Sequence, residues 1–175
     1  MQKLTNPLIW LVRFRYRKGY GVHSPFAFRF ITEVIYERLP FYAYTRLDRD
    51  LPPSHRFRRR RGLHLLLRLA NHIQPQTIVL PSDAWLEKRY LLSGCKHANI
   101  QCQLPDGQVD MCLLKEPSDE ALLHLGSKSV LLLDNLHHHR QWFQNIPSVV
   151  SFDLYDLGIA FFDNQYNRQY YKVNF

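Results

Sequence analysis

Apolar positions along the chain switch period near residue 75. Before it, the spacing is helical. Leu8 to Tyr16 is apolar and aromatic, interrupted by Arg13 and Arg15, and reads as a short helix. Gly19-Tyr20-Gly21-Val22-His23 is a loop. Ser24-Pro25 then supplies a serine cap and a proline in the first turn, and Phe26, Phe30, Ile31, Val34 and Ile35 fall on one face of the helix that follows. Leu39-Pro40 ends it. Asp50-Leu51-Pro52-Pro53-Ser54 punctuates the chain before a helix from about His55 to Ile73, which Pro75 closes. Beyond that point short apolar runs alternate with helical patterns. Strands are predicted at Thr77 to Leu80, Ala98 to Cys102, Val109 to Leu114, Ser129 to Leu133, Val149 to Leu154, Ile159 to Phe162 and Tyr170 to Val173. Helices are predicted at Asp83 to Ser93, Ser118 to Leu125 and Arg140 to Asn145, with Gly94 and Gly126 as stops. Strand–helix alternation indicates a mostly parallel α/β sheet, and the final run of strands indicates antiparallel closure. The expected organisation is a helical region over 1–75 and a Rossmann-like α/β domain over 76–175.

Charge sharpens that division. The 175-residue chain carries a formal +8. Residues 1–75 hold 15 basic and 4 acidic side chains, whereas 76–175 hold 8 basic and 11 acidic ones. Arg56, Arg58, Arg59, Arg60 and Arg61 form the densest cluster, at the start of a helix whose other members include Leu63, Leu65, Leu66, Leu67, Leu69 and Ala70. Such a cluster suits a solvated face, a protein partner or an anionic one, nucleic acid included. No nucleic-acid motif accompanies it.

Hydrophobic residues make up 46% of the chain, a globular balance, and no apolar run is long enough to span a bilayer. The apolar stretch Leu8 to Val12 is too short for a secretory signal, and a cytoplasmic location is expected. Cys95, Cys102 and Cys112 are odd in number and lie outside any CxxC spacing, which fits free thiols; Cys102 and Cys112 fall in apolar runs and are expected to be buried. His137-His138-His139 invites a metal reading, but adjacent histidines rarely face one ion, and no metal is expected. A loop or capping role, or a general base at His137, is the alternative. Neither a GxSxG nor a phosphate-binding glycine motif is present.

Three stretches carry a family resemblance: Tyr20-Gly21-Val22-His23-Ser24-Pro25-Phe26, Ser129-Val130-Leu131-Leu132-Leu133-Asp134-Asn135-Leu136-His137, and Phe152-Asp153-Leu154-Tyr155-Asp156-Leu157-Gly158-Ile159-Ala160-Phe161-Phe162. In their order and content the chain resembles class I S-adenosylmethionine-dependent methyltransferases, in particular a bacterial subfamily with an HGVHSPF signature near its start. The resemblance implies a Rossmann-like sheet ending in an antiparallel hairpin, and a cofactor held where the first strand meets a glycine-rich turn. The matching stretch here, Val79-Leu80-Pro81-Ser82-Asp83-Ala84-Trp85-Leu86-Glu87, has no glycine, and Ile100-Gln101-Cys102-Gln103 lacks the family's ribose-binding acid. Only Leu104 to Gln108 separates the second strand from the third, so one strand and its crossover are expected to be missing. Metal-dependent relatives of the catechol type place an acid near Lys115; this lysine is expected to pair with Asp134 instead.

These departures lead to a reduced, degenerate methyltransferase-like protein that acts as a binding or scaffolding partner, of another protein or of a second copy of itself. The alternative is an active methyltransferase with an atypical cofactor site, in which Ser82, Asp83 and Asn135 hold S-adenosylmethionine, His137 is the base and Asp134 positions the substrate. The second alternative is a nucleic-acid-binding protein that uses Arg56 to Arg61.

Overall fold

The computed structural model describes residues 21–51 and 58–175, without the side chain of Arg58. The helix expected at Leu8 to Tyr16, the Gly19-Tyr20 part of the first loop, the Pro52–Ser54 punctuation, the helix start at His55 and Arg56 lie outside the described residues. Ser24 caps α1 (Pro25–Arg29) as its sequence dictates, its Oγ accepting the Ala27 N–H at 3.3 Å. The helix then widens into a π-helical segment, Phe30–Ile35, closed by the Tyr36 N–H on the Ile31 carbonyl. Its last carbonyls are capped from afar: the buried Arg68 guanidinium donates Nε–H to Val34 O at 2.7 Å and Nη2–H to Ile35 O at 3.0 Å.

A helix that periodicity did not reveal follows, α2 (Ala43–Arg49). Its buried apolar face is only Ala43 and Leu47, and it is tied down by Asp48, which accepts hydrogen bonds from His64 and from the Tyr90 hydroxyl. In α3 (Arg58–Ile73), the positions after Gly62 are apolar almost all round, and Leu63, Leu65 to Leu67, Leu69 and Ala70 are all buried. Against it lies α4 (Trp85–Gly94). The contact is so close at Gly94 that a Cβ there would collide with the Leu67 carbonyl.

The sheet has seven strands: β1 (Thr77–Val79), β2 (Asn99–Gln101), β3 (Val109–Leu114), β4 (Leu125–Asp134), β5 (Val150–Asp153), β6 (Leu157–Phe161) and β7 (Gln169–Lys172). Their order is β2-β1-β3-β4-β6-β5-β7, and only β6 runs against the rest. The fold is therefore α/β and Rossmann-like, with the antiparallel element confined to β6, which inserts between β4 and β5. Residues 102–108 link β2 to β3 without a helix, and β2 is an edge strand.

Alternation along the strands feeds two apolar layers. Ile78, Met111, Leu113, Val130, Leu132, Val150, Phe152 and Ile159 join a core with Phe30, Leu65, Leu67, Leu69 and Leu91. The opposite face, with Val79, Cys112, Leu131, Leu133 and Ala160, packs against Ala121 of α5 (Asp119–Leu123) and against Leu136 and Phe143 of α6 (Leu136–Asn145). β4 begins earlier than its apolar run suggested. Gly126, expected to stop a helix, lies within the strand, where Ser129 Oγ accepts its N–H at 2.8 Å beside a register shift against β3. Ser118 does cap α5, accepting the Ala121 N–H at 3.2 Å. All three cysteines are free; Cys95 and Cys112 are buried, whereas Cys102 is exposed because it leaves β2 at the edge of the sheet. No helix among the described residues is long and apolar enough to cross a membrane.

Candidate functional site

Parallel strands deliver their C-terminal ends to one edge of the sheet, where open α/β folds bind ligands. Here that edge gathers the β1–α4 turn, Lys115 after β3, Asp134 and the start of α6, and the hairpin between β5 and β6. The β1–α4 turn closes through the Ala84 N–H on the Pro81 carbonyl at 3.0 Å. The residue at the helix cap is Ala84, fully buried, and no side chain caps it. Ser82 and Asp83, the expected cap or cofactor residues, are both exposed. Asp83 instead receives the Lys115 ammonium at 2.5 Å, which holds its carboxyl below the usual range. The expected Lys115–Asp134 pair is thus not formed. Lys115 crosses the mouth between β1 and β3 and takes the more exposed carboxylate, which needs less desolvation.

Beneath that bridge lies a residue the sequence reading passed over. Glu87, in the first turn of α4, is buried; its Oε1 accepts from Arg59 Nη2 at 2.7 Å. Its Oε2 has no hydrogen-bond partner among the described residues. Helical spacing held the clue, since Glu87 shares a face with the buried Tyr90 and Leu91. Asp134 is within electrostatic reach of Glu87, Arg59 and Lys115. Burial pushes the Asp134 carboxyl above its ordinary value, and the Asn135 N–H at 3.0 Å opposes this in part. Asn135 itself is exposed and sits in the left-handed region (φ 54°), which asparagine tolerates better than most residues.

The sign of the Asp134 shift gives a test. A carboxyl raised in the native state binds its proton more tightly there than when unfolded. Stability therefore falls as pH rises from the unfolded value near 4 through the folded one, and stays lower above it. Asp134→Asn is expected to raise the melting temperature by a few degrees at pH 7, with the gain vanishing as pH falls into the carboxylate range. Thermal melts of both proteins across pH 3.5 to 7 would check this, and a lower melting temperature for the variant at pH 7 would refute it.

The histidines lie in the first turns of α6, not in a loop, with a break in the helix at His139 (φ −118°, ψ 18°). They diverge. The His137 ring stacks on Tyr155 at 5.3 Å, with Nδ1 3.4 Å from Asp156, whereas His139 Nε2 lies 3.0 Å from Glu116. His138 is exposed. Among the described residues no group of three or more His, Cys, Asp or Glu side chains could hold a metal ion. Asp134 and His137, the paired catalytic candidates, engage different neighbours: Asp134 belongs to the charged cluster by β1 and β3, and His137 to the β5–β6 hairpin. That hairpin is anchored by the fully buried Asp153, which accepts from Arg140 Nε at 2.8 Å, the Tyr170 hydroxyl at 3.0 Å and the Tyr155 N–H at 2.8 Å. Tyr155 itself has a positive φ of 78°.

The arginine cluster is partly engaged within the molecule. Arg59 pairs with Glu87, Arg60 lies 4.0 Å from Asp48, and the Arg61 guanidinium sits 4.8 Å from the centre of the Phe175 ring. The side chains of Arg56 and Arg58 are outside the described residues.

The first turn differs from the glycine-rich turn that the family resemblance led one to expect. Between Val79 and Tyr90 there is no glycine, Pro81 offers no N–H, and β2 ends in Gln101 with Gln103 beyond. Comparison with known protein families and with characterised proteins gave no match for this chain.

Proposed function

We propose that this protein is a degenerate member of the methyltransferase-like class, which keeps the Rossmann-like scaffold, has given up the standard S-adenosylmethionine site and works as a binding or scaffolding protein. The observation that carries the reading is the Lys115–Asp83 ion pair across the ends of β1 and β3. It lies at the strand-end edge that a nucleotide-type cofactor would approach, beside a glycine-free turn whose cap residue, Ala84, is buried. The Arg59–Glu87 pair and the raised Asp134 carboxyl add a charged cluster with no glycine-rich backbone to line it.

Isothermal titration calorimetry with S-adenosylmethionine and S-adenosylhomocysteine tests this on folded protein, verified by circular dichroism. No binding at micromolar concentrations is expected for either compound. Micromolar binding would overturn the proposal and favour the active alternative, with His137 as base and Asp134 positioning the substrate; His137→Ala should then lower turnover more than affinity.

A further inference from the structure

On the opposite flank of α3 lies a pocket of about 350 Å³, between the end of the π-helical segment and residues 174–175. We propose that it binds the phosphate group of a small phosphorylated molecule. Its charged lining is one-sided: Arg38, Arg61 and Arg68 face it against a single carboxylate side chain, Glu37, while burial lowers the pKa of the lining His64 and keeps it neutral near pH 7. Oε1 of that carboxylate is turned toward the backbone, accepting the N–H groups of Arg38 at 2.6 Å and Leu39 at 2.7 Å.

Arg68 forms the buried part of the wall, 8% exposed. A guanidinium has five N–H donors. Three are spent on neutral acceptors: the Val34 and Ile35 carbonyls and, at 3.2 Å, the Tyr44 hydroxyl. One N–H on each terminal nitrogen remains, the forked pattern that phosphate oxygens satisfy. No carboxylate pairs with Arg68 among the described residues, so a buried cation is left with neutral partners alone, an unfavourable state that an anion would relieve. Asp48 is engaged by His64 Nε2 at 2.8 Å and by the Tyr90 hydroxyl at 2.8 Å.

Arg61, His64 and Arg68 recur along one stripe of α3, and Arg38 closes the rim from the other side, so guanidinium groups approach from two elements. Three guanidinium groups around a small volume suit a phosphate dianion better than a single carboxylate, which carries half the charge and fewer acceptor oxygens. The volume admits a small phosphate ester. The inference is independent of whether S-adenosylmethionine binds at the sheet edge.

The test is calorimetry in phosphate-free, low-salt buffer with three probes: inorganic phosphate, ribose 5-phosphate and citrate. Both phosphates are expected to bind, and citrate more weakly. Tighter binding of ribose 5-phosphate than of inorganic phosphate assigns the site to a phosphate ester, and the reverse order assigns it to the free ion. Arg38→Gln and Arg61→Gln, both at the exposed rim, should each weaken phosphate binding about tenfold. The double variant Lys96→Gln/Lys128→Gln, which removes two exposed charges elsewhere, should bind as the parent does. Arg68→Gln removes a helix cap as well as a ligand, so the rim variants carry the test. No phosphate binding by the parent, tighter binding of citrate, or an equal loss in the lysine variant would overturn the proposal.

Discussion

Phe30→Ala should destabilise the protein by about 3–5 kcal/mol, the cost of emptying a fully packed aromatic site. Phe30 is 1% exposed and sits where the first helices meet the sheet. Its ring centre is 4.8 Å from that of Phe152 in β5, 5.0 Å from Phe161 in β6 and 5.9 Å from the His72 ring in α3. Truncation would leave a cavity bounded by three elements that cannot close over it together. A neighbouring control isolates the packing: Phe28, 47% exposed on the same helix, should change stability by less than about 0.5 kcal/mol when replaced by alanine. Urea unfolding followed by far-ultraviolet circular dichroism and by tryptophan fluorescence would measure both. A loss below about 1 kcal/mol for Phe30→Ala would show that the helical region and the sheet do not share this core.

Asp153→Ala should cost about 3 kcal/mol, at the lower end of what breaking a buried ion pair costs. The carboxylate is 1% exposed and serves three donors at once: Arg140, the Tyr170 hydroxyl and the Tyr155 N–H. Arg140 is one-third exposed, so water recovers part of its solvation, which keeps the cost from rising further. The Tyr170 hydroxyl and the Tyr155 N–H, both part-buried, would each lose their acceptor as well. Asp153→Asn keeps an acceptor of similar shape and should lose only about half as much. Tyr170 adds a spectroscopic readout. Burial and the Asp153 carboxylate together push its hydroxyl up to about 12. Removing the carboxylate takes away the second contribution, so one tyrosine should ionise at lower pH in Asp153→Ala. Equal denaturation midpoints for the parent and the alanine variant would refute the anchoring role.

Local chemistry was readable wherever a short stretch acts on itself. Ser24-Pro25 starts α1, Ser118 starts α5, and the Val109–Leu114 run becomes β3 with the same limits. Cues failed where a distant partner decides. The segment Ala43–Arg49 has a sparse apolar face and becomes a helix because Asp48 is held by His64 and Tyr90 from two other helices. Gly126 reads as a helix stop, yet pairing with β3 draws it into β4. The three histidines look like one group, but helical rotation sends His137 and His139 to different carboxylates.

The site divides in the same way. The glycine-free turn after β1, the glutamines around the end of β2 and the short link to β3 follow from residue identity and spacing, since a Cβ and a proline ring act on their own backbone. By itself the sequence determined an α/β chain with a basic first part and a glycine-free turn after its first strand. The partners of its charges were decided only in three dimensions. Lys115 reaches Asp83 and not Asp134, Arg59 reaches the buried Glu87, and Arg68 caps a helix 33 residues earlier in the chain. Strand register and helix packing set which charges meet, and desolvation sets which pairings persist; neither is a property of neighbouring residues.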